Sequence, residues 1–327
     1  MHCPEISIIL PTRNRRETIE RTVEHVIGQT FQDWELVISD NASDEEGKIP
    51  FLKKLAESDS RIKLHLQPTN IGLHANWRFC IAQSIGRYHI AVTDDDWWGG
   101  PGFLEGLLSM HDGTTGVVFP NLCIHYIDTG EVLPDALSEV YRGVSGVYGM
   151  SEALVRDGRG IVMIGLVNFG VVPKDELVAV IDNDFVSNIE TIGMNRIARK
   201  YPMVFCEEFS YHHTAYSGNY CRSFEGAQIQ RDRGIVAFQL LAELRLATSI
   251  DEKFRSALEA QWEVVEKYCR EVAFRDRRGD DAGRSVGDSR EKVRALRDEI
   301  KHLRSCNSTF SGAVRSWLKA RNSRVKK

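Results

Sequence analysis

Between residues 5 and 95 the chain switches repeatedly between two hydrophobic periods. Four short runs rich in β-branched and aromatic residues, "ISIILPT", "WELVISD", "IKLHLQP" and "YHIAVTD", read as strands. The segments between them follow the helical period. Arg15 to Gln29 places Ile19, Val23, Val26 and Ile27 on one face, with Thr12 or Asn14 and then Glu17 spaced as a capping box. The stretch after Asn70 offers Leu73, Trp77, Phe79, Cys80 and Ile81 for burial, with Gly86 as a left-handed stop. Strands alternating with helices build a parallel α/β sheet, and ligands collect at the carboxyl ends of its strands. The clusters "PTRN", "SDNASD", "PTNIG" and "TDDD" all fall there, which puts four polar groups on one rim.

Beyond Asp96 the pattern changes to α+β material. A helix is expected around Phe103 to His111, then a hairpin, "GVVFPNLCIHYIDTGEVLP", turning at Asp128, Thr129 and Gly130. Helices follow near Ser151 to Arg156, Asp175 to Ile181 and Asn188 to Lys200, and then two strands, "PMVFCEE" and "FSYHH". From about residue 250 the chain reads as helical and highly charged. Phe254, Leu258, Trp262, Val265, Tyr268 and Val272 form one stripe, "DRRGDDAGRSVGDS" is a polar linker, and Val293, Leu296, Ile300 and Leu303 repeat over only two heptads.

Composition narrows the function classes. A net charge of -4 over 327 residues gives no general reason to expect nucleic acid as a partner. Seven scattered cysteines, never spaced C-x-x-C, suit a reduced, cytoplasmic compartment. The N-terminus lacks a signal-peptide pattern, and the most apolar stretch, Ile161 to Val172, is too short to span a bilayer. The basic end, "GAVRSWLKARNSRVKK", with Val314, Trp317 and Leu318 on an apolar side, reads either as a peripheral anchor at the inner face of a cell membrane or as a solvated terminus.

The chemistry concentrates in "YHIAVTDDDWW". Two like charges about 4 Å apart repel by roughly 4 kcal/mol at an effective dielectric near 20, so Asp94, Asp95 and Asp96 call for a positive partner. A hard divalent cation, Mg2+ or Mn2+, is held by one or two carboxylates plus substrate phosphates. The competing reading is an acidic turn capping the helix after Pro101. Asp40 ends a strand where it can accept from a nucleobase or ribose, while Ser43 and Asp44 equally suit an Asx turn. Thr12 and Arg13 stand where a strand gives way to a helix, a setting that suits a diphosphate.

The series "SIILPTRNR", "QTFQDWELVISDNASDE", "NIG" and "WRFCIAQSIGRYHIAVTDDDWW" resembles the nucleotide-sugar-binding half of family 2 glycosyltransferases of the GT-A fold. The resemblance covers roughly residues 5 to 105 and continues more loosely to about residue 215. It implies a GT-A type, Rossmann-like mixed sheet flanked by helices over 1–250. Residues 1–105 would form the nucleotide-sugar half and 106–250 the acceptor side, with a helical extension at 251–327. It also implies metal-assisted, inverting transfer of a sugar from a nucleoside diphosphate to an acceptor hydroxyl. UDP-sugar is the first expectation, with dTDP or GDP left open. The acceptor would be a saccharide or lipid-linked, in a bacterial surface polysaccharide or glycolipid setting, and a homodimer stays open.

By the same resemblance Pro11, Thr12 and Arg13 fall on the first nucleotide-binding segment and Asp40 on the acid that contacts the base. Asn41 and Asn70 are carried with them. Asp94 would face the ribose and Asp95 the metal, with Asp96 as the alternative ligand. Trp98 could pack on a sugar ring or under the metal loop, and His212 could complete the metal site. Trp97 shares the first role, and His213, Tyr216, Tyr220 and Arg222 could line the cleft. Glu190 would be the general base, with Asp184 and Asp182 in contention, although the family usually has Asp where Glu190 stands. Two rivals remain: a non-catalytic nucleotide-sugar or partner-binding scaffold, and a sugar nucleotidyltransferase. The second is disfavoured because "PTRNRR" contains no glycine.

Overall fold

The computed structural model describes residues 3–143, 170–175 and 201–216, all within the compact unit Met1–Glu266. Strand β1 (Ile6–Thr12) is buried along its whole length, as is β2 (Trp34–Asp40), because helices cover both faces of the sheet. Helix α1 (Arg16–Ile27) buries Ile19, Thr22, Val23 and Val26, the stripe expected from its periodicity plus one threonine. Helix α2 (Lys48–Ser58) leads to β3 (Ile62–Leu66), and α3 (Leu73–Gln83) leads to β4 (Tyr88–Ala91). In α3, Trp77, Cys80 and Ile81 are buried as expected, but Leu73 stays exposed.

The first sheet runs β3-β2-β1-β4-β8, where β8 is Val172–Pro173. Strands β1 to β4 pair in parallel and β8 is antiparallel at the edge. The chain moves outward from β1 through β2 to β3 and then returns to place β4 on the other side of β1. That reversal opens a crevice at the carboxyl ends of β1 and β4.

Gly86 is not the left-handed helix stop that the sequence suggested. Helix α3 ends at Gln83 with the extended Ser84 as its cap, and Gly86 does not have a positive φ. Its lack of a side chain is needed for contact: a Cβ there would lie 2.5 Å from the Ser7 backbone nitrogen and 2.8 Å from the Ile6 carbonyl carbon.

A second sheet has the order β5-β9-β6-β7, formed by β5 (Trp97–Trp98), β6 (Val117–Tyr126), β7 (Glu131–Leu133) and β9 (Met203–Ala215). The hairpin β6–β7 turns where the sequence placed it, with the Gly130 N–H donating to the Tyr126 carbonyl at 2.8 Å. Short α5 (Ser138–Tyr141) follows β7.

The expected pair of strands over 202–213 is one continuous strand, parallel to β6, with an irregularity. The partner of Pro120 is Cys206 and that of Asn121 is Ser210, so Glu207, Glu208 and Phe209 form an excursion. The physical reason is Phe209, which packs against helix α4 (Phe103–Ser109), where Gly102 and Gly106 leave room for its ring.

Candidate functional site

The turn from β1 into α1 carries the first part of the site. Asn14 and Arg15 both adopt left-handed φ, 58° and 59°, each a costly conformation for a residue with a Cβ. The β2–α2 loop holds them there. The Asn14 N–H donates to Ser43 Oγ at 2.7 Å, the Asp44 N–H donates to Asn14 Oδ1 at 3.1 Å, and Lys48 Nζ donates to the Asn14 carbonyl. The capping box expected at this helix does not form, since α1 begins after Arg15 without a side-chain cap. The Arg16 N–H is satisfied instead by Glu45 Oε2 at 2.8 Å.

This strained corner aims Thr12 and Arg15 across the crevice at the acids after β4. Thr12 Oγ1 donates to Asp94 Oδ2 at 2.6 Å and accepts from Lys48 Nζ at 2.9 Å. Arg15 Nη1 donates to Asp94 Oδ1 at 2.9 Å and to Asp95 Oδ2 at 2.7 Å. Burial opposes the Arg15 charge, but Asp94 and Asp95 outweigh it and hold its pKa above the ordinary value. Burial lowers the pKa of Lys48 against the pull of Asp94, Asp40 and Glu45. Asp95 is pushed up to about 6, first by burial and then by the charge on Asp96, with Arg15 only partly offsetting them.

The backbone of the acid run is fastened by one face of α1. Thr18 Oγ1, Arg21 Nη2 and Thr22 Oγ1 donate to the carbonyls of Asp94, Asp95 and Asp96 at 2.7, 2.9 and 2.7 Å. Thr214 Oγ1 adds a second bond to the Asp95 carbonyl at 2.7 Å. Side chains at i, i+3 and i+4 share a helix face, so Thr18, Arg21 and Thr22 form a visible polar stripe that sequence reasoning passed over. Nothing in the sequence pattern marks Lys48.

The three acids do different things. Asp96 is fully buried, and both its oxygens are engaged. Oδ1 accepts from the Thr214 N–H at 2.7 Å, and Oδ2 accepts from the Thr93 hydroxyl, from Tyr211 Oη at 3.0 Å and from His213 Nδ1 at 3.1 Å. It pins β4 to β9 and has no free oxygen to offer a cation, which departs from the expectation of Asp96 as a ligand. Asp94 and Asp95, 6% and 8% exposed, stand at the crevice with Arg15, and Tyr216 Oη lies 3.4 Å from Asp95 Oδ2.

His212 is also corrected. Alternation along β9 sends Tyr211 and His213 to Asp96 and His212 to the opposite face, where its Nδ1 lies 2.9 Å from His125 Nε2. Burial works against protonation of His213, yet Asp96 and Asp95 raise its pKa.

Trp98 is another correction. It is fully buried and stacked on Phe103 at 5.1 Å, so it belongs to the core and cannot touch a sugar. Trp97 stacks on His212 at 5.1 Å with the Arg21 guanidinium 3.8 Å from its ring centroid. Pro11 is buried within β1, and Arg13 is exposed, so Arg15 rather than Arg13 meets the acids.

The second and third clusters meet on the same rim. Asp40, 1% exposed, accepts from the N–H of Ser43 at 2.8 Å and from its hydroxyl, an Asx turn. Asn41 Nδ2 donates to Asn70 Oδ1 at 2.9 Å, and Asn41 Oδ1 accepts from the Ile71 N–H at 2.8 Å. Glu190, Asp184 and Asp182, and the cleft candidates Tyr220 and Arg222, lie outside the described residues, as does the basic end of the chain. Among the described residues no helix is long and apolar enough to cross a membrane.

A parallel sheet with a reversal between β1 and β4, an acid pair at that crevice and a second sheet beside it define an α/β domain of GT-A type. Residues 7–148 match the family model described as Glycosyl transferase family 2.

Three comparisons bear on its relatives. The UDP-Glc:alpha-D-GlcNAc-diphosphoundecaprenol beta-1,3-glucosyltransferase of Escherichia coli is 32% identical over 93 residues, 28% of this chain and 36% of that protein. S. aureus TarS 1–349 in complex with UDP-GlcNAc superposes with a TM-score of 0.56 at 15% identity, over 82% of this chain and 81% of that one. The mannosyltransferase PcManGT from Pyrobaculum calidifontis, in complex with GDP-Man and Mn2+, gives 0.54 at 14% identity, over 97% and 87%. The matched region spans about a third of the length of the curated relatives.

Proposed function

We propose that this protein transfers a sugar, with inversion, from a nucleoside-diphosphate sugar to an acceptor hydroxyl in the assembly of a bacterial surface polysaccharide or glycolipid. The observation that carries this reading is the buried acid pair at the strand crevice: Asp94 and Asp95 face Thr12 and Arg15, and burial together with the charge on Asp96 keeps the Asp95 pKa raised despite that guanidinium. The donor set fits a hard divalent cation, because it is made of carboxylate oxygens at the mouth of a nucleotide-binding crevice. Asp95 would hold Mn2+ or Mg2+, with Asp94 beside it. When bound, such a cation neutralises charge on the departing diphosphate.

The remaining work belongs to the chain's own groups. Arg15, 35% exposed in its side chain, is placed to trade a carboxylate for a phosphate oxygen. Thr12 and Lys48 keep Asp94 in place, and the α1 stripe keeps the acid loop from relaxing away from the crevice. Asn41 and Asn70, bridged across the rim, are placed to border the nucleoside, beside Asp40. Glu190, or else Asp184 or Asp182, takes the proton from the acceptor hydroxyl as the new bond forms. Relatives whose printed names include a UDP-sugar donor and an undecaprenol-linked acceptor support UDP as the first nucleotide and a lipid-linked saccharide as the first acceptor class. TarS, crystallised with UDP-GlcNAc, supports the same donor class.

Calorimetric titration with UDP, GDP, CDP and dTDP, each with Mn2+ and again with excess chelator, tests this reading. One nucleotide binding only with the cation, and losing that dependence in Asp95→Ala, is the expected result. No cation-dependent binding to any of the four would leave the scaffold alternative in its place.

A further inference from the structure

A second cluster of ligating side chains lies on the face of the β5-β9-β6-β7 sheet turned away from Asp96. Register explains why it exists. Cys123 on β6 is the cross-strand partner of His212 on β9, and His125 follows Cys123 by two residues, so all three side chains emerge on one face. Cys123 Sγ lies 3.5 Å from His125 Nε2, which lies 2.9 Å from His212 Nδ1, and one ligand atom from each residue falls within 4.8 Å of the other two.

We propose that Cys123, His125 and His212 bind one borderline-soft divalent cation of the zinc class, with two nitrogens and one sulfur as ligands and a fourth position open to water. This site is separate from the all-oxygen pair Asp94 and Asp95 and selects a different cation by ligand chemistry. In a tetrahedral zinc site with bonds of about 2.0–2.3 Å, ligand atoms sit roughly 3.3–3.8 Å apart. The two imidazole nitrogens therefore need to part by only about half an ångström, and the sulfur already stands at ligand spacing from His125 Nε2 and within 4.8 Å of the His212 ligand atom.

The rings are also held for the purpose. Trp97 stacks against His125 at 4.7 Å and His212 at 5.1 Å, and the two imidazoles are themselves stacked at 5.2 Å. Burial is the largest cause depressing the pKa of each histidine, and nearby positive groups, Arg21 among them, add to it. Both shifts favour the uncharged ring, the form that ligates. The Cys123 thiol, raised by burial and by Asp135, gives up its proton on binding. A bound cation would tie β6 to β9 beside Trp97, on the segment that also supplies Asp96.

Cobalt reports the ligand set directly. The full chain, freed of metal, is titrated with Co2+ while absorbance is followed in the visible and near ultraviolet. The expected result is saturation at one Co2+ per chain, with four-coordinate d–d bands and a thiolate-to-cobalt charge-transfer band, all bleached by Zn2+. Asp95→Asn keeps this spectrum, whereas Cys123→Ser and His125→Gln each lose it while retaining the far-UV circular dichroism of the parent. The proposal is overturned if the folded parent shows no charge-transfer band. It is equally overturned if the band survives in Cys123→Ser, which would assign the cobalt to another thiol such as the exposed Cys3.

Discussion

Asn substitution separates the neighbouring acids Asp95 and Asp96, which the sequence presents as equivalents. In Asp96→Asn one oxygen becomes an amide that cannot accept. Depending on its orientation, it faces either the Thr214 N–H or the donors from Thr93, Tyr211 and His213. A hydrogen bond to a buried charge contributes about 1.5–3 kcal/mol, and an unsatisfied buried donor costs about 1–3 kcal/mol. His213 also loses the carboxylate that favours its charged form. Together these place the loss at about 3–5 kcal/mol, a large part of the 5–15 kcal/mol typical of a domain.

Asp95→Asn runs the other way. The folded pKa of Asp95 is raised to about 6, above the usual carboxylate value, so its charged form is the disfavoured one in the fold. The penalty is present above about pH 6 and absent once both folded and unfolded chains are protonated, below about pH 4. With chelator present, Asp95→Asn is therefore neutral or stabilising by about 1–2 kcal/mol at pH 7.5, and the gain fades towards pH 4. Urea unfolding at both pH values, followed by tryptophan fluorescence, reads both variants through their midpoints at constant slope. The reasoning fails if Asp96→Asn unfolds with the parent while losing cation-dependent nucleotide binding, or if Asp95→Asn is the more destabilised of the two.

Replacing Arg15 with Gln removes the only guanidinium that bridges Asp94 and Asp95 among the described residues. It is expected to tighten Mn2+ binding and weaken nucleoside diphosphate binding, each by about tenfold, and equal loss of both by calorimetry would refute the bridging role. His89 is buried, shares a hydrogen bond with the Ser84 hydroxyl at Nε2, leaves Nδ1 unpaired, and has its pKa depressed to about 3 by burial and then by Lys174. Stability from this group is complete above about pH 6.5 and drains as the pH falls, by up to about 3 kcal/mol at pH 4, because only the unfolded chain takes the proton readily. His89→Gln should flatten that acid limb in thermal melts, and an unchanged limb would count against it. Gly86→Ala drives a Cβ into the backbone of β1 and should cost about 1–3 kcal/mol or more, whereas Gly47→Ala, with φ 77° but open space around it, should cost about 1 kcal/mol in denaturant titration.

Much of the first sheet, and the hairpin of the second, was legible because the signals are local. The apolar runs of β1 and β2, the stripe of α1 and the turn at Gly130 follow from periodicity and turn chemistry, which neighbouring residues alone decide. The same alternation placed Thr12, Asp40, Asn41, Asn70 and the acid run at the strand ends, so the sequence determined the rim on which chemistry would collect. Tertiary structure alone decided which acid faces the crevice. Asp96 is turned inward by donors more than 110 residues away on β9, which no local pattern registers. Arg15 displaced Arg13 because two consecutive left-handed residues, pinned by the β2–α2 loop, rotate the turn. Trp98 went to the core and His212 left the acid site for Cys123 and His125 because strand alternation and cross-strand register, settled only when β5, β6 and β9 pair, assign each side chain its face.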